Sequence, residues 1–173
     1  DLYNRYRNGA EMAKDLSAVR YQLVDEDSTV EDTRHFETLR RLEFFTEFEN
    51  IEIWEVLRFS HWSTIPPGVA VMRDGDHGDF FCFLAEGELK VIKGSRILNL
   101  LTTGDCFGEM AVISKHSSTR GADVVALTKS KILTIKGEAL QKASDPCRMH
   151  FYQGFLEVLA ARLALANARL ASA

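Results

Sequence analysis

Two short stretches hold the residue types that could do chemistry together. One is Gly104-Asp105-Cys106-Phe107-Gly108-Glu109-Met110-Ala111-Val112-Ile113; the other, after a polar loop, is Arg120-Gly121-Ala122-Asp123-Val124. A glycine beside a short helical turn lets backbone N–H groups approach an anion closely, and the free amides at a helix start add partial positive charge. Gly108 and the amides around Met110 and Ala111 fit that role. Arg120 supplies a permanent cation with a planar donor fork suited to a phosphate. Glu109 is a carboxylate that can accept hydrogen bonds from hydroxyl groups. Taken alone, a Gly-Glu pair with a later arginine also describes a plain turn with a surface ion pair. No CxxC and no HExxH occurs, and His35, His61, His77, His116 and His150 lie without metal-ligand spacing, so no metal site is expected.

The run Phe-Gly-Glu, an apolar residue, Ala, two more apolar residues, a variable loop and Arg-x-Ala-x-Val resembles the phosphate-binding cassette of cyclic nucleotide-binding domains. The likeness extends upstream through Gly75, Gly78, Gly87 and Gly104-Asp105, over roughly residues 60 to 145. It implies a cyclic nucleotide as ligand and no separate cofactor. Arg120 and the segment Phe107 to Ala111 would hold the cyclic phosphate, and Glu109 the ribose 2′-hydroxyl. Ala111 and Ala122 would leave room for the sugar-phosphate, and Val91 would line the base. Family members that prefer cGMP often carry a hydroxyl where this chain has Gly121, which favours cAMP, with cGMP as the alternative. Two departures are visible: the loop from Ser114 to Thr119 is long, polar and basic, and Asp123 adds an acid, expected to face solvent by strand alternation.

These residues need a scaffold, and the chain supplies one in three parts. Residues 1–24 carry Ala10, Met12, Ala13, Leu16 and Val19 at helical spacing, residues 25–33 read as an acidic linker, and residues 34–60 as a helical segment with a helix near Ile51 to Phe59. Residues 61–136 then break into short apolar runs separated by glycines. Six are strand candidates: Val69 to Met72, Asp79 to Ala85, Glu88 to Ile92, Ile97 to Leu101, Ala122 to Leu127 and Lys131 to Ile135. Closing such a sheet takes about eight strands, so the expected fold is α+β: a small antiparallel β-barrel, a β-roll of jelly-roll type, with flanking N-terminal helices and a long C-terminal helix. In residues 137–173, Asp145 reads as the N-cap and Pro146 as the first helical residue. Tyr152, Leu156, Leu159, Leu163, Ala166 and Leu170 form a coiled-coil-like seam that predicts a homodimer, the alternative being packing of the same face on the barrel or the N-terminal helices. By the same resemblance, Phe151, Tyr152 or Phe155 would close over the nucleotide as a hydrophobic lid.

The 173 residues carry 21 basic and 25 acidic side chains, a formal charge of −4. That balance offers no general attraction to nucleic acid or to a membrane surface, and no apolar run approaches membrane-span length. Cys82, Cys106 and Cys147 are an odd set, read as reduced thiols of a cytoplasmic protein. The chain starts at Asp1, which suggests a processed product or a piece of a longer protein. Arg5 to Leu16 is similar to the last helix of bacterial serine/threonine kinase domains, yet neither HRD nor DFG nor a glycine-rich loop is present, so the chain is not expected to be an enzyme. The expectation is a regulatory module coupled to an attached kinase. A ligand-free barrel serving oligomerisation is the alternative.

Overall fold

The computed structural model describes residues 29–116 and 119–172. The chain divides into a unit at Asp1–Glu37 and a second at Thr38–Ala173. The helix expected in residues 1–24 lies outside the described residues. The linker expected at 25–33 is corrected where it is described: residues 29–41 form helix α1. Glu31 and Asp32 stand in its first turn, where carboxylates face the positive end of the helix dipole and favour helix over linker.

A 3₁₀ turn, Glu43–Phe45, leads to α2, Asn50–Phe59. Glu49 starts α2 with a reciprocal capping box to Glu52. Eight strands follow: β1 Ser60–Ile65, β2 Ala70–Met72, β3 Phe80–Glu86, β4 Leu89–Lys93, β5 Arg96–Leu101, β6 Cys106–Phe107, β7 Asp123–Ala126 and β8 Ser130–Lys136. They form two four-stranded sheets, ordered β1-β8-β3-β6 and β2-β7-β4-β5, with every pairing antiparallel. Six strands match the expected runs. β1 and the two-residue β6 do not, because SHWSTI mixes polar and apolar residues on both faces and β6 is too short to show a period.

The run FFCFLAE of β3 is apolar throughout because both its faces are covered. Cys82 and Leu84 point into the core between the sheets, beside Leu89, Leu101, Phe107 and Ile132. Phe81 and Phe83 point the other way, into an aromatic layer with Phe44, Phe45 and Phe48. Two short helices, α3 Met110–Ile113 and α4 Gly137–Gln141, precede the long α5, Asp145–Ala171. The cap of α5 is Ser144, not Asp145: its hydroxyl accepts from Cys147 N–H and donates to Glu55, while Asp145 pairs with Arg148. Phe151 and Phe155 complete the aromatic layer, with Phe81–Phe155 and Phe48–Phe151 centroids 5.1 and 5.0 Å apart. Beyond residue 160 the helix is exposed.

Candidate functional site

The tips of β6 and β7 bring the two sequence stretches to one cavity of roughly 460 Å³, in the size range of small-molecule sites. Its inner wall extends the intersheet core through Met72, Val91, Leu101, Phe107 and Val124. Gly108, Glu109, Met110, Ala111, Arg120, Gly121 and Ala122 form its polar end. The predicted residues Val91 and Phe107 to Ala111, with Arg120 to Ala122, therefore line one space.

Arg120 is held from several sides. Its backbone N–H donates to Asp76 O at 2.8 Å and its carbonyl accepts from Gly75 N–H at 2.8 Å, so the turn after β2 fixes its main chain. Nη1 donates to Gly108 O at 2.9 Å, Nη2 to Phe80 O at 2.5 Å, and the guanidinium lies 4.7 Å from the Phe80 ring centroid. The side chain is buried, and that desolvation lowers its pKa, opposed by the fields of Cys82, Asp79 and Glu109. Arginine stays charged under such a shift. Among the described residues no carboxylate forms an ion pair with it, and its direct contacts are carbonyl oxygens and a ring. Gly108 adopts φ +79°, and a Cβ there would stand 2.5 Å from Met72 Cε and 2.8 Å from Arg120 Nη1. Only glycine fits where Arg120, Met72 and the cassette meet.

Glu109 begins α3, and its carbonyl accepts from Val112 and Ile113 N–H. The amides of Met110 and Ala111, as first-turn groups, have no carbonyl within the helix to bond to. The Glu109 side chain is 1% exposed, and its carboxylate accepts a hydrogen bond from Arg162 Nη1. Arg162 Nη2 also donates to Cys106 O at 2.5 Å. Arg162 was not among the expected residues. The signal for it is faint: between Val158 and Ala173 only Arg162 and Arg169 carry charge.

The residues expected as a lid do not line the cavity. Phe151 and Phe155 are buried in the aromatic layer, where seven rings exclude water, and neither lines the cavity. Tyr152 points elsewhere too, its hydroxyl accepting from Gln141 Nε2 at 3.0 Å. What α5 brings to the cavity is a guanidinium. Asp123 lies outside the cavity lining, and its carboxylate accepts from Asp74 N–H at 2.7 Å in an exposed hydrogen bond. Lys93 reaches the same corner, 3.4 Å from Asp74 and 3.0 Å from Gly121 O. Among the described residues no group of His, Cys, Asp and Glu is placed to hold a metal ion. No helix there is long and apolar enough to cross a membrane.

The model of the cyclic nucleotide-binding domain family matches residues 62–145. The chain is 28% identical over 137 residues to a cAMP-dependent protein kinase regulatory subunit of Pyricularia oryzae, covering 76% of this chain and 34% of that protein. It is 26% identical over 123 residues to cGMP-dependent protein kinase 2 of Mus musculus, covering 69% of this chain and 16% of that protein. The chain thus spans about a third or less of these relatives. A solved cyclic nucleotide-binding domain from Methylobacillus flagellatus shares the fold, with a TM-score of 0.69, 22% identity, and coverage of 80% of this chain and 81% of that one.

Proposed function

We propose that the chain, whose residues 62–145 match the model of the cyclic nucleotide-binding domain family, is a regulatory module of that family and that its cavity takes cAMP as the signal. The observation that carries this reading is Arg120: buried, lining the cavity and without an ion-paired carboxylate among the described residues. A cyclic phosphodiester brings one negative charge to that cation. Gly108 and the first-turn amides of α3 complete the cradle. Glu109, on the same side, accepts the ribose 2′-hydroxyl, which discriminates against deoxyribose. The absence of a side chain at Gly121 removes a guanine-selecting hydroxyl and supports cAMP over cGMP.

Output runs through α5. Arg162 and a ribose hydroxyl converge on one carboxylate, so nucleotide binding changes the contact that holds the exposed half of α5 against the cassette. That half carries Leu156, Leu163 and Leu170 in the open, which supports a homodimer contact. We place the module in the cytoplasm, regulating an attached or partner serine/threonine kinase. A thermal-shift series with cAMP, cGMP and unrelated nucleotides tests the binding: ligand at a hundredfold its Kd adds about 2.7 kcal/mol. No shift with either cyclic nucleotide leaves the alternative, a ligand-free barrel acting as an oligomerisation module.

A further inference from the structure

The cavity has a second polar feature, at the end away from Arg120. Met72 pairs with Val124, Val124 with Val91, and Val91 with Asn99, so these four residues form one row across β2, β7, β4 and β5. All four line the cavity. At about 4.8 Å per strand the row spans about 15 Å from Met72 to Asn99. Gly108 and Arg120 stand at the Met72 end. A phosphate held there, followed by sugar and base along the Val124 and Val91 wall, brings the far edge of the base to Asn99.

The Asn99 amide is oriented. Leu100 N–H donates to its Oδ1 at 2.9 Å. A backbone N–H can bond only to the oxygen, so this contact defines which end of the amide accepts and which donates. Oδ1 keeps a second lone pair, and Nδ2 keeps its two N–H groups. An amide offering one acceptor beside one donor matches the N6 amino group and N7 of adenine, whereas guanine presents two acceptors, O6 and N7. Turning the amide over to suit guanine would break the bond from Leu100.

We infer that Asn99 is the base-reading residue of this pocket, accepting from N6–H and donating to N7 of a 6-aminopurine cyclic nucleotide and disfavouring the 6-oxopurine. The inference rests on the nucleotide reading above and adds the residue that chooses the base. Asn99 lies at the solvent-open rim, so the discrimination falls at the lower end of what a bidentate amide–base pair provides, about fivefold to tenfold.

Calorimetric titration of the intact chain tests it with cAMP, cGMP and 7-deaza-cAMP, which lacks the N7 acceptor. Wild type is expected to bind cAMP about fivefold to tenfold tighter than cGMP and to lose severalfold with the 7-deaza analogue. Asn99→Ala should weaken cAMP, spare cGMP and bring the two together. A cAMP to cGMP ratio unchanged by Asn99→Ala, with both still bound, overturns the role of Asn99. If Asn99→Ala is misfolded, wild type decides: equal affinity for cAMP and its 7-deaza analogue overturns the inference equally. Failure of wild type to bind any of the three overturns the nucleotide reading itself.

Discussion

Arg162 on the exposed half of α5 donates to the buried carboxylate of Glu109, 53 residues earlier in the chain. One long-range ion pair therefore joins the cassette to the C-terminal helix. Arg162 is partly exposed while Glu109 is not, so the pair is worth less than a fully buried one and more than a surface one. Arg162→Ala leaves the carboxylate without its cation and should cost about 1–2 kcal/mol. Hydrogen exchange should show faster exchange from residue 156 onward with the barrel strands unchanged. Unaltered protection of that helix would remove Arg162 as a tether.

Arg120→Ala should lower cyclic nucleotide affinity far more than Lys115→Ala or His116→Ala. A buried charge-assisted contact to phosphate is worth roughly 2–3 kcal/mol, and exposed loop charges about 1 kcal/mol or less. Calorimetric titration of the three variants separates them, and equal affinity of wild type and Arg120→Ala would defeat the site assignment.

Gly154→Ala should destabilise the fold although alanine is the better helix former. A Cβ at position 154 would lie 2.5 Å from Cζ and 2.6 Å from Cε2 of Phe44, inside the aromatic layer. Overpacking of about 1–3 kcal/mol outweighs a propensity gain of about 1 kcal/mol. Urea unfolding should therefore show a lower midpoint, and Gly154→Ala with Phe44→Leu should recover part of it.

The thiols should be silent at neutral pH. Burial pushes Cys82 up to about 11 and Cys147 up to about 12, and desolvation holds Cys106 well above its ordinary value. A thiol pKa raised by folding stabilises the native state below the unfolded value, near 9, and that contribution is lost as pH rises through the folded values. Iodoacetamide should leave the native chain unlabelled at pH 8 and label all three cysteines in urea. Stability should decline from about pH 9 upward.

Truncation after Phe155 keeps the aromatic layer and removes Leu156, Leu159, Leu163 and Leu170. Light scattering should give a dimer for the intact chain and a monomer for the truncated one. A monomer in both excludes the seam as a dimer contact.

The two cavity-lining stretches were legible because the family resemblance they carry is a local pattern. Phe107-Gly108-Glu109 and Arg120-Gly121-Ala122 are read within sixteen residues, and the glycine-punctuated strands between Val69 and Ile135 carry their own short periods. The linker reading at residues 29–33 failed because a run of acids suits both solvent and a helix start. β1 and β6 escaped because their pairing with β8 and β3 is set by distant partners rather than by alternation. Phe151 and Phe155 show the same boundary: spacing places them on one face of a helix, yet whether that face meets a ligand or a layer of seven rings depends on where Phe44, Phe81 and Phe83 arrive. By itself the sequence determined the fold class and picked out the two stretches, with Arg120 and Glu109, that line the cavity. Only the tertiary structure decided that Arg162 reaches Glu109 and that Asn99 ends the row opposite Met72, because contacts between residues 53 positions apart, or across four strands, follow from packing and leave no periodic trace in the chain.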